Sequence, residues 1–174
     1  MTKSRLLLFF LCENQLQTIN RKFKNMITEK LKELGYDYAP TDLATFKHPF
    51  LPATRTGNLV FTSGQVSAHG DTIYKGRVGD EVNLEAAYKA AEICAYNCLR
   101  AIGTVADINE VNRVIKVLGM VNVGAGFDNT SGVINGASDL LNKLFEQGHA
   151  RSAVGMVIPF NFAVEIEMVV ELKG

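Results

Sequence analysis

Val111-Asn-Arg-Val-Ile-Lys-Val-Leu-Gly-Met-Val-Asn-Val123 is dominated by β-branched and aliphatic residues and reads as one long strand, ended by Gly124-Ala125-Gly126. The segments on either side of it decide the architecture. Upstream, Leu84, Ala87, Ala91, Cys94, Ala95, Cys98 and Ile102 form a single apolar stripe at helical spacing, and Gly103 closes it. The small residues on that stripe suit close packing of a helix from Leu84 to Ile102 against a sheet. Downstream, Val133, Ala137, Leu140, Leu141 and Leu144 predict a second helix over Val133–Phe145, with Gly148 beyond it. Two further strands follow, Ser152–Ile158 and Ala163–Leu172. The turn-like Pro159-Phe160-Asn161 between them predicts a terminal hairpin.

Earlier in the chain, Met26–Leu34 has apolar residues at 27, 31 and 34 and a glycine stop at Gly35, which predicts a short helix. Residues 36–56, with Pro40, Pro49 and Pro52, read as irregular. Leu59–Thr62 and Thr72–Tyr74 read as short strands among the turns marked by Gly64, Gly70-Asp71, Gly76 and Gly79-Asp80. Strands, a long helix, a long strand, a helix and a hairpin make an α+β two-layer sandwich, a mixed sheet with its two main helices on one face. The last strand has apolar residues on both of its faces (Ala163-Val164, Ile166, Met168-Val169-Val170). The face away from the helices is therefore expected to lie against another subunit.

The 174 residues suit one domain, and 47% apolar content is enough for one core. Eighteen basic residues balance eighteen acidic ones, without the basic excess of a dedicated nucleic-acid binder. Three cysteines, Cys12, Cys94 and Cys98, do not make a disulfide framework and point to a reducing, cytoplasmic setting. No apolar run approaches the roughly 18 residues of a membrane span. Residues 1–25 read apart from the rest: five basic residues (Lys3, Arg5, Arg21, Lys22, Lys24) stand against Glu13, with a short apolar run over 6–11. Three readings stay open for them: a targeting segment, mitochondrial if it is a presequence; a disordered tail; or a misassigned start ahead of Met26. The main domain is 26–174.

Metal chemistry finds no ligand spacing. His48, His69 and His149 lie on separate segments, and Cys94 and Cys98, one helical turn apart on an apolar stripe, read as core residues. Gly124-Ala125-Gly126 is too short for a phosphate-binding loop. Two polar placements stand out. Arg151 stands at the start of a strand, where a guanidinium can grip a carboxylate through two parallel charge-assisted bonds or simply be a solvated edge residue. Glu165 and Glu167 share one face of the last strand, either on a pocket or on solvent.

Four stretches carry a more specific signal. Arg55-Thr-Gly-Asn-Leu-Val-Phe-Thr-Ser-Gly-Gln65, Val133-Ile-Asn-Gly-Ala-Ser-Asp139, His149-Ala-Arg-Ser-Ala-Val-Gly155 and Ala163-Val-Glu-Ile-Glu167 resemble the reactive intermediate deaminase family. It is also called RidA or YjgF and, in older usage, endoribonuclease L-PSP. The likeness runs from about Met26 to Leu172, closest to a less characterised branch. It implies a chorismate-mutase-like homotrimer with pockets between subunits and, in the best-known members, cofactor-free hydrolysis of 2-imino acids to 2-keto acids and ammonia. By position, Arg151 matches the arginine that holds the substrate carboxylate and Ser63 the serine of the T-S-G-Q motif. Asn135 matches the pocket asparagine and Glu165 the glutamate that positions the attacking water. A carbonyl near Ala153 is the water's implied second partner.

Two departures from the family pattern bear on the substrate. Phe50 stands where the better-known members have a tyrosine, and Ala153 where they have a cysteine. The lost hydroxyl removes a contact typically worth about 0.5–1.5 kcal/mol. The leading expectation is an imine or enamine hydrolase. The alternative is a small-carboxylate-binding regulatory module without efficient turnover, and RNA cleavage or translation inhibition ranks third. In the predicted terminal hairpin, Glu165 faces Gly155, leaving Arg151 about 13–14 Å away at roughly 3.4 Å per residue. One small ligand then meets both residues only if a bulge shortens the gap or a neighbouring subunit supplies one of them. The second option is the expectation.

Overall fold

A computed structural model describes residues 26–174, so the extension at 1–25, with its targeting and start-site alternatives, lies outside the described residues. In chain order the elements are α1 (Ile27–Glu33), β1 (Ala53–Thr56), β2 (Leu59–Thr62), β3 (Gln65–Val66), β4 (Ala68–His69), β5 (Thr72–Ile73), α2 (Leu84–Ile102), β6 (Val111–Asn122), α3 (Thr130–Leu144), β7 (Ala150–Met156) and β8 (Val164–Leu172). Of the described residues, 26–38 belong to one compact unit and Ala39–Gly174 form another.

In the first unit, α1 ends as Gly35 predicts. Gly35 has φ +87°, its N–H donates to Lys32 O at 3.0 Å, and Tyr36 N–H donates to Leu31 O at 2.9 Å. That is the paired-bond stop that glycine permits in the left-handed region.

In the second unit both long helices are capped by asparagine. Asn83 accepts from Ala86 N–H at 2.9 Å to start α2, and Asn129 accepts from Gly132 N–H at 3.0 Å to start α3. The second cap moves the start of α3 three residues ahead of its first apolar contact at Val133. The sheet order is β1-β2-β8-β6-β7, with β3 also paired to β8, and β4–β5 form a separate two-stranded ribbon. The sheet is mixed, because β6 and β7 run parallel while the other neighbours run antiparallel. Pro52 precedes rather than interrupts β1, which lies in the stretch expected to be irregular.

The terminal hairpin does not form. β6 lies between β7 and β8, with Val117 paired to Arg151 on one side and to Met168 on the other. The reason is in the connection: β6, α3 and β7 form a strand–helix–strand crossover, which returns the chain parallel to β6. The Pro159–Asn161 turn then carries it past the end of β6 to the other side. Phe160 (φ 57°) and Asn161 (φ 60°) are both left-handed in this turn. Asn122 Nδ2 holds Asn161 Oδ1 at 3.0 Å.

Both helices pack on one face of this sheet. Cys94 and Cys98 of α2 are fully buried and donate their thiols to Val164 O and Ile166 O, each at 3.3 Å. Burial pushes both thiols up, Cys98 to about 12, so they serve as core residues. On β6, Gly119 admits Ile134 of α3: a Cβ there would stand 2.5 Å from its side chain. Gly136 of α3 lies directly against the backbone carbonyl of Tyr88 in α2, so the helices meet where a side chain is missing. The Tyr88 hydroxyl donates to Asp139 at 2.6 Å alongside.

Candidate functional site

Arg151 is the second residue of β7, at the strand's start as expected, and its pairing with the buried Val117 puts it on the helix side of the sheet. Its Nη1 donates to Asn135 Oδ1 at 2.9 Å and to Ser138 Oγ at 3.1 Å. Asn135 and Ser138 are three residues apart on α3 and so project from one face of the helix. Ser138 Oγ also lies 3.0 Å from His149 Nε2. Burial and then the Arg151 charge hold His149 below the ordinary imidazole range. Arg151 takes no part in the ion pairs Arg77–Asp80, Lys89–Glu85 and Arg113–Glu171. Two neutral acceptors therefore fix one nitrogen of a half-exposed guanidinium, and its Nε–Nη2 edge donates to no described residue.

A second cluster gathers around the break between β2 and β3. Both strands pair with β8, Phe61 with Val169 and Gln65 with Ile166, so four steps on one side match three on the other. The extra residue falls at Ser63-Gly64. Ser63 donates its hydroxyl to Leu51 O at 2.7 Å and its N–H to Pro52 O at 2.9 Å, fastening the preceding loop. In that loop Phe50 is half exposed, stacks on His48 at 5.2 Å between ring centres and meets Phe46 edge-on at 5.6 Å. Glu165 of β8 lays its carboxylate over Gly64, where a Cβ would run into its Oε1. Burial, and secondarily the charge of Glu167, raises the Glu165 carboxyl above its ordinary value.

The two clusters do not meet within one chain. Glu165 pairs with Met120, and its neighbours Val164 and Ile166 are buried toward the helices, so Glu165 faces away from them. Arg151 is aligned three residues further along β6 and projects from the other face. Two strand spacings and three residues put them about 14 Å apart even before the sheet's thickness is added. This replaces the hairpin geometry and removes the bulge as a way to unite them. Ala153 lies on the Arg151 side, its carbonyl accepting from the Thr130 hydroxyl at 3.2 Å. Asn135 and Arg151 are thus brought together, Ser63 and Phe50 flank the loop beside Glu165, and Ala153 joins the arginine cluster. Ser138 and His149 were not singled out from sequence, although both lie inside the quoted motifs. The i, i+3 spacing of Asn135 and Ser138 was the available signal.

A match to the family described as Endoribonuclease L-PSP spans residues 42–172. The chain belongs to this RidA/YjgF family. A family relative, Protein TCP17 of Trypanosoma cruzi, is 38% identical over 104 residues, which is 57% of this chain and 65% of that protein's length. A solved structure of a protein of unknown function from Agrobacterium tumefaciens is 37% identical, covers 86% of this chain and 93% of its own, and superposes with a TM-score of 0.74. The chorismate-mutase-like fold extends to more distant solved structures. E. coli TdcF with bound serine has 20% identity and a TM-score of 0.51, covering 78% of this chain and 94% of its own.

Proposed function

We propose that this chain hydrolyses small 2-imino or enamine acids to 2-keto acids and ammonia, without a cofactor. The pocket would join the Arg151 cluster of one subunit to the Glu165 cluster of its neighbour in a homotrimer. The observation that supports this most is the unpaired Nε–Nη2 edge of Arg151, preset by Asn135 and Ser138. A carboxylate fits that edge with two parallel bonds. An imine carbon is already electrophilic, so holding the carboxylate and aiming a water at the carbon supplies most of what the reaction needs. Glu165, with its raised pKa, suits taking a proton from that water and returning it to the departing nitrogen. The Ala153 carbonyl, on the Arg151 side and bonded to the Thr130 hydroxyl, suits holding the same water.

The test is ammonia release from 2-iminobutyrate generated in situ. Wild-type protein accelerates it, and Arg151→Ala loses at least about a hundredfold in kcat/KM. Undiminished turnover by the variant would remove Arg151 from the site. The Phe50 ring, engaged with His48 and Phe46, offers a ligand no hydroxyl and favours a second reading, a carboxylate-binding module. Saturable binding of a 2-keto acid by folded protein without turnover would select it.

A further inference from the structure

Ser138 stands between two groups whose proton arrangements constrain each other. A hydroxyl has one donor hydrogen and two acceptor lone pairs. One lone pair is taken by Arg151 Nη1. His149 Nε2 at 3.0 Å receives the hydroxyl hydrogen in the Nδ1–H tautomer of the neutral ring, and donates to the second lone pair when it carries a proton itself. We propose that His149 is a positioning residue that acts through Ser138 on Arg151, so that capture of a carboxylate at Arg151 takes up one proton. This rests on the carboxylate-binding reading above.

In the empty site, Ser138 donates to neutral His149 and steadies Arg151. A bound carboxylate brings a negative charge beside the pair and favours the imidazolium. Nε2–H then donates to Ser138 Oγ, which still accepts from Arg151, and the released hydroxyl hydrogen turns toward the carboxylate. The proton comes from solvent: an N–H bond forms at Nε2 as an O–H bond of a hydronium ion breaks, and no other covalent bond changes. The empty protein already favours the neutral starting state, because burial and Arg151 hold His149 low. Arg151 is the charged group acting on His149. α3 faces it with the neutral Ser138. The next acid along α3, Asp139, is engaged by Tyr88, and Lys116 of β6 is on the other face, bonded to Ser152.

The experiment is calorimetric titration of 2-oxobutyrate at pH 5.5 and 7.5, with the His149 ring nitrogens followed by NMR. A 2-oxo acid stays ionised across this range, so the ligand contributes no proton change of its own. Binding should be about threefold to sixfold tighter at the lower pH, the part of the tenfold ceiling set by a one-unit rise in the His149 pKa that this pH interval spans. The NMR titration should show that rise directly. His149→Gln keeps a hydrogen-bonding group for Ser138 but cannot titrate, so it should bind at both pH values with the difference flattened. Ser138→Ala removes the shared hydroxyl and should shrink the ligand-induced rise in the His149 pKa. Glu165→Gln separates the other pH-sensitive carboxyl and should leave the His149-linked difference in place. Equal affinity of the wild type at both pH values, or a full pH difference in His149→Gln, overturns the proton coupling and leaves the carboxylate reading standing. Absence of 2-oxobutyrate binding at either pH by folded wild type overturns both.

Discussion

Gly64 owes its identity to a neighbour's carboxylate. A methyl group at this position collides with the end of the Glu165 side chain, which is free to swing aside. Gly64→Ala should therefore fold with stability close to wild type yet lose activity nearly as far as Glu165→Gln, and assaying the two side by side checks this. Glu165 also carries a stability signature. Its folded pKa is raised above the ordinary 4.5, so its stabilising protonation is complete below that value and is lost as pH rises through the raised one. Glu165→Gln should accordingly gain stability relative to wild type between pH 4 and pH 7, measured by urea unfolding at fixed protein concentration. A constant difference across that range would refute the shift. At this scale the sequence was informative where a motif named the residue, as with Arg151 and Asn135. Ser138 and His149 acquire meaning only from the meeting of a helix face with a strand, which linear spacing does not report.

Between elements, the decisive contacts are glycines rather than large side chains. Replacing a helical glycine by alanine ordinarily stabilises a helix by up to about 1 kcal/mol. Gly136→Ala should do the reverse. The new methyl meets the Tyr88 carbonyl, which is backbone and cannot rotate away, and prying α2 from α3 should cost about 1–3 kcal/mol in denaturant unfolding. The helix stripes, the long β6 and the glycine stop of α1 were legible because periodicity and punctuation are local. The β7–β8 relationship was misread because a Pro-Phe-Asn turn between two strand-like runs looks like a hairpin locally. The arrangement was instead set by the helix placed between β6 and β7, whose length makes those two strands parallel partners. β1 was missed for a similar reason: it is a short strand whose pairing with β2, rather than its composition, defines it.

At the scale of the whole molecule, the sheet face opposite the helices presents Phe61, Leu118, Met120, Val154 and Val169, all partly or largely exposed. A charge in the middle of that face, Leu118→Lys or Val169→Lys, should release monomers in size-exclusion chromatography with light scattering and abolish turnover with them. Wild-type-like mass for both variants would remove this face from the subunit contact. The opposite-face placement of Arg151 and Glu165 carries a genetic consequence. If each pocket borrows its arginine from one chain and its glutamate from the next, the two lesions complement each other. Arg151→Ala and Glu165→Gln, each inactive alone, should recover activity when co-refolded in equal amounts, with about one pocket in four intact in a randomly mixed ring of heterologous contacts. Two broken alleles would then add up to a working enzyme, as pockets confined to single chains would not permit.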